Sequence, residues 1–208
     1  MRDSIGIMGG TFDPIHNGHL LLAHQAYREY GLDSIWFMPS GHPPHKQDHH
    51  VTDGGIRRDM VKLAIEGVPY FQYSDFELRR PGSTYSAQTF HLLNEAYPAL
   101  NFYFIVGADS LYQIEHWYHP RELMRETTLL VAGRECDNAP RSLDQQIRYL
   151  SDRFQAKIFR LHCQEMDVSS AMLRQMAAQG VPIDSYLPPG VADYIRKNGL
   201  YRKKKESE

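Results

Sequence analysis

The chain is poor in cysteine, in net charge and in long apolar runs, and each shortage closes a class of function. Its two cysteines, Cys136 and Cys163, cannot build a disulfide framework and lack Cys-x-x-Cys spacing, so both read as structural or incidental. A formal net charge of −2 offers no basic bulk for a nucleic-acid backbone, and no nucleic-acid partner is expected. The short run Arg202-Lys203-Lys204-Lys205 reads as a solvated end. No apolar stretch approaches the length that spans a membrane. Nor does a basic region followed by an apolar run open the chain, as it would in a secretory signal peptide. No membrane partner and a cytoplasmic location are therefore expected. Two common phosphate-binding signatures are also missing. There is no Gly-x-x-x-x-Gly-Lys-Ser/Thr, and the turn after the first apolar run contains no Gly-x-Gly-x-x-Gly.

What is present fits one α/β domain spanning residues 1–208. Of its 208 residues, 42% are hydrophobic and 23% charged, ordinary values for a globular chain. Short apolar runs predict strands at Ser4–Met8, Ser34–Met38, Phe71–Asp75, Asn101–Val106, Thr128–Ala132 and Lys157–Leu161. Helical patterns alternate with them at Leu20–Tyr30, Ile56–Glu66, Ala87–Tyr97 and Leu143–Phe154, the first three stopped by Gly31, Gly67 and Pro98. In the second helix Ile56, Met60, Leu63 and Ala64 share a face, which is read as core. After Leu161 only helices remain, at Ser170–Ala178 and Pro189–Asn198. The expected architecture is a doubly wound, mainly parallel, Rossmann-like sheet over residues 1–165, with a short C-terminal helical part over 166–208. Ligands of such sheets sit beyond the carboxyl ends of the strands, where the unusual motifs of this chain also fall.

The most unusual of these is Gly9-Gly10-Thr11-Phe12-Asp13-Pro14-Ile15-His16-Asn17-Gly18-His19, set between a strand and a helix. Paired glycines let the backbone turn sharply and approach a ligand. His16 and His19, three apart at a helix entry, project to one side. The unpaired N–H groups and positive dipole end of a helix start favour phosphate. Imidazoles there can donate to phosphate oxygens, and a bound polyanion favours their charged form. The run reads as a triphosphate cradle.

Other candidates follow later strands. Lys46 ends a Pro-rich loop, and its flexible stem suits a charge that closes on a triphosphate. His42, His45, His49 and His50 crowd the same loop, but no metal site is assigned to them. Gly107 permits close approach of a ring or ribose, while Asp109 can cap the next helix and also meet a ligand or metal ion. A tryptophan is most often core, but Trp117 sits among His116, Tyr118 and His119, neighbours poorly suited to a core, which points to a stacking platform at least as much. Ser169-Ser170 open a helix and Arg174 follows one turn later, which suits both a cap and an anion site.

Gly9 to His19 resembles the Gly-x-Phe-Asp-Pro-x-His-x-Gly-His signature of the nucleotidylyltransferase superfamily. Within it, four further stretches resemble the bacterial nicotinate-mononucleotide adenylyltransferases. They are Pro39 to Lys46, Gly107 to Leu111 followed by Trp117, Val168 to Arg174, and Leu187 to Tyr201. The resemblance implies transfer of the adenylyl group of ATP to nicotinate mononucleotide, giving deamido-NAD and pyrophosphate. By the same resemblance His16, His19, Lys46 and Arg174 are catalytic. Gly9, Gly10, Thr11, Phe12, Gly107, Asp109, Arg134 and Ser170 are implied in ATP binding, and Thr84, Trp117 and Tyr118 in binding the mononucleotide, with Trp117 stacked on its ring. Magnesium would be held mainly by the ATP phosphates, with no metal site of the protein's own. A homo-oligomer is compatible with this reading. Two departures are visible: Ala171 replaces the family's usual threonine, and Gly133-Arg134-Glu135-Cys136 replaces its usual setting for the arginine. The alternatives are another small acceptor (nicotinamide mononucleotide or pantetheine phosphate) or a nucleotide-binding sensor without turnover. Class I aminoacyl-tRNA synthetases share His-x-Gly-His, but this chain lacks the length for their additional domains.

Overall fold

The computed structural model describes residues 2–41, 51–133, 141–163 and 166–202. Strands β1 (Asp3–Gly10), β2 (Ser34–Pro39), β3 (Phe71–Tyr73), β4 (Leu100–Gly107), β5 (Thr128–Ala132) and β6 (Ile158–Leu161) form one sheet. Its order is β3-β2-β1-β4-β5-β6, and every neighbouring pair is parallel. That is the doubly wound order, in which the direction of winding reverses between β1 and β4. All six predicted strands are present, with ends shifted by a residue or two.

Parallel strands are covered on both faces, so their side chains alternate between two cores. Phe102, Phe104 and Val106 of β4 and Leu129 and Val131 of β5 enter one core. Ile105, Leu130 and Ala132, from the same strands, enter the other. Helices α1 (Asn17–Tyr30), α2 (Gly54–Ile65), α7 (Ser170–Ala178) and α8 (Pro189–Lys197) cover the second face through Ala23, Ala26, Met60, Leu173 and Val191. Helices α3 (Ser86–Ala96), α4 (Ala108–Gln113), α5 (Pro120–Glu126) and α6 (Leu143–Phe154) cover the first through Phe90, Leu93, Leu111, Leu123 and Leu150.

The helix ends follow local chemistry. Gly31 ends α1 in the left-handed region, at φ 57°, and its N–H returns to the Tyr27 carbonyl. Asp53 caps α2 by accepting from Gly55 N–H at 2.7 Å, so this helix begins two residues earlier than its apolar stripe. The sequence reading missed α4 and α5, which cover only six and seven residues. Among the described residues no helix is long and apolar enough to cross a membrane.

Candidate active site

A cleft of about 850 Å³ opens beyond the carboxyl ends of β1, β4 and β5, where Gly9, Gly10, Gly107 and Gly133 line it. It therefore lies at the switch point of the winding. At Gly107 the space that a Cβ would take is open, leaving room for a ligand against the backbone.

One wall is the start of α1, which begins three residues before the predicted helix, with His16 as its N-cap residue. The rings of His16 and His19 are stacked, their centroids 3.7 Å apart, and both line the cleft. His19 Nδ1 accepts from the His16 N–H at 3.2 Å, so the ring of His19 carries its proton on Nε2. His16 is buried, and its Nδ1 has no hydrogen-bond partner among the described residues. Gly18 keeps the space beside it tight, since a Cβ there would stand 3.0 Å from both His16 Nδ1 and Val168.

Burial pushes the His16 imidazole from 6.5 down to about 4. His16 by itself is thus neutral at pH 7, and the charged form expected from sequence is the one that a bound polyanion favours. Because the folded-state pKa is depressed, the unfolded chain takes up this proton first as pH falls. Stability contributed by neutral His16 is present above pH 6.5 and is lost as pH drops toward 4. The loss amounts to about 3 kcal/mol. From pH 7 to pH 4 the unfolding free energy of wild type should therefore fall by about 3 kcal/mol more than that of His16→Asn. Equal falls would show that His16 does not titrate in this way.

The turn ahead of His16 is held from several directions. Phe12 lies at φ 52°, a left-handed conformation that costs a non-glycine residue about 1–3 kcal/mol and persists only where surrounding contacts fix it. Arg57, 2% exposed on α2, donates to the carbonyls of Thr11 and Ser40 at 2.8 Å and of Thr52 at 2.9 Å. Arg174 Nη1 donates to the Asp13 carbonyl at 2.7 Å, and Ser170 Oγ to the Pro14 carbonyl at 2.9 Å. Ser169, not Ser170, caps α7, by accepting from Met172 N–H at 3.1 Å. Asp109 is likewise not a cap: Gly107 holds that position and Asp109 sits in the first turn of α4, lining the cleft.

The opposite wall carries the aromatic residues. Trp117 packs half-buried against the core beneath β4, 6.4 Å from Phe104 between ring centroids, and also lines the cleft. The one ring thus packs on the core and borders the cleft at once. Tyr118 is exposed and stacked on Tyr85 at 4.4 Å, while Thr84 is buried, and all three border the cleft.

The structure thus brings together His16, His19, Gly9, Gly10, Thr11, Gly107, Asp109, Ser170, Arg174, Thr84, Trp117 and Tyr118 around one cleft. Phe12, between these residues in sequence, is placed differently. Its left-handed backbone turns the ring away from the cleft into the core, 1% exposed, against His19 and Phe37. Lys46 and Arg134 lie outside the described residues, as do His42, His45, His49 and His50. Sequence reasoning missed Arg57, treated only as part of a helix with an apolar stripe, and Glu77, a buried carboxyl bordering the cleft. Burial pushes the Glu77 pKa up, against the Thr89 hydroxyl that donates to it at 2.6 Å.

A sheet switch point with histidines stacked at a helix start defines a nucleotide-handling α/β protein, and the chain belongs to the cytidylyltransferase-like family, whose model matches residues 7–176. A relative from Lachnoclostridium phytofermentans, named "Probable nicotinate-nucleotide adenylyltransferase", is 42% identical over 197 residues, covering 95% of this chain and 98% of its own. One of the same name from Clostridium tetani is 39% identical over 196 residues, covering 94% and 98%. The fold matches that of a Plasmodium falciparum nicotinic acid mononucleotide adenylyltransferase, solved in complex with NaAD. The two agree with a TM-score of 0.79 at 21% identity, over 96% of this chain and 97% of that one.

Proposed function

We propose that this protein transfers the adenylyl group of ATP to nicotinate mononucleotide, releasing deamido-NAD and pyrophosphate. The observation that carries the reading is the stacked His16–His19 pair. One ring is buried with a nitrogen that has no partner among the described residues, and across the same cleft stand Trp117, Tyr118 and Thr84. The relatives named above support it.

In the reaction an oxygen of the mononucleotide phosphate attacks the α-phosphorus of ATP. The bond from that phosphorus to the bridging oxygen breaks, and pyrophosphate leaves with the electron pair. The attacking phosphate is already an anion, so no strong base is needed. Catalysis consists of alignment for in-line attack and stabilisation of charge on the leaving group. His16 and His19 hold the phosphates, and their negative charge raises the His16 pKa again. Lys46, Ser170 and Arg174 close on the leaving group, Arg134 reaches the adenine or phosphates, and Trp117 stacks on the pyridine ring. Among the described residues no three His, Cys, Asp or Glu side chains form a metal cage, while Asp109 lines the cleft. Magnesium carried mainly by the triphosphate could meet the Asp109 carboxylate there. A cytoplasmic location accords with charged, phosphorylated substrates.

The direct test is incubation with ATP, magnesium and either pyridine mononucleotide, with the product identified by mass. Deamido-NAD as the preferred product is expected. Preferred formation of NAD from nicotinamide mononucleotide would reassign the acceptor, and no dinucleotide from either would overturn the reading.

A further inference from the structure

Asp13 sits at the centre of the strained turn, 3% exposed, and both oxygens of its carboxylate are engaged. Thr52 N–H donates to Oδ2 at 3.1 Å. The hydroxyl of Tyr201, which lies beyond α8 and 188 positions away in sequence, donates to Oδ1 at 2.6 Å. Gly199 and Tyr201 both lie in the left-handed region, at φ 60° and 64°, so the chain leaving α8 is bent back to deliver this ring. The hydroxyl also lies 3.9 Å from the Met60 sulfur, which places its ring among the residues of α2. Burial and the neighbouring Asp13 raise the Tyr201 pKa, so the phenol remains a proton donor.

We propose that Tyr201 is a positioning residue for adenylyl transfer, acting through Asp13 to hold the turn that aims His16 and His19. The inference rests on the proposed function for its kinetic consequence alone. Asp13 is three residues from His16, and Phe12, next to Asp13, holds a conformation that relaxes once its surroundings loosen. A small displacement of phosphate-binding groups harms the transition state more than it harms ground-state binding. The acceptor wall at Thr84 and Trp117 is built from other elements and stays in place.

Tyr201→Phe keeps the ring and removes only the hydroxyl. Its kcat should fall about tenfold, with the mononucleotide KM within about twofold of wild type. Carbon–proton spectra should show the His16 and His19 imidazole signals displaced and the Trp117 indole signals unmoved. Combined with Asp13→Asn, the losses should not add, because both changes cut the same link. Unchanged kcat, a loss expressed in the mononucleotide KM, unmoved imidazole signals or fully additive losses would each overturn the proposal. If the wild type forms no dinucleotide, the proposed function fails, and the imidazole signals alone still decide whether Tyr201 orders the turn.

Discussion

His19→Ala is expected to lower the turnover of adenylyl transfer by about a hundred- to a thousandfold, the usual cost of losing one aligned donor where charge develops. His19 is well placed for that role. Its Nδ1 is engaged by the His16 N–H, so the donor it can offer is Nε2–H, on a ring that borders the cleft. The fold should survive, because His19 is only half-buried at the first turn of α1 and the helix carries its own backbone bonds and Gly31 stop. Steady-state kinetics beside thermal unfolding checks both halves of the expectation. Near-normal turnover in a folded variant would remove His19 from the mechanism, and an unfolded one would assign it to stability.

Trp117→Ala should act on the other substrate. Stacking of a base on an aromatic ring is worth about 1–3 kcal/mol, so the mononucleotide KM should rise by about one to two orders of magnitude. The Michaelis constant for ATP should hardly move, since the histidine wall is built by α1 and not by the Trp117 segment. Part of the Trp117 ring packs on the core, so some thermal stability should be lost as well. Trp117→Phe separates the two effects by keeping an aromatic face and most of the packing. If Trp117→Ala leaves the mononucleotide KM unchanged, the aromatic wall is not the acceptor site.

These residues show which parts of the site could be read from sequence. Strands β1, β2, β4 and β5 were legible because burial on both faces demands nearly continuous apolar runs. Helices α4 and α5 were not, because a helical period needs a window longer than their six or seven residues. The motif from Gly9 to His19 was legible as one block, yet the block conceals direction. Phe12 shares it with the cleft-lining residues and still faces the core, because one left-handed φ reverses the side chain. Ser170 and Arg174 were placed at the right cleft, but their bonds to the carbonyls of Pro14 and Asp13 had no local signal. The same holds for Arg57, whose partners come from three separate segments, and for Asp13 with Tyr201. Such links join residues far apart in the chain, and periodicity and spacing report only on near neighbours.

The bonds from Ser170 and Arg174 to the turn after β1 also have a meaning in time. Chains emerge from the ribosome N-terminus first, at about 5–20 residues per second. The histidine turn is therefore made first, and the side chains that secure it appear more than 150 residues later. A nascent chain that has assembled its central strands would still carry an unsecured nucleotide site. Catalytic competence should thus arrive late and abruptly during synthesis, and prematurely ended chains should be folded in part yet silent.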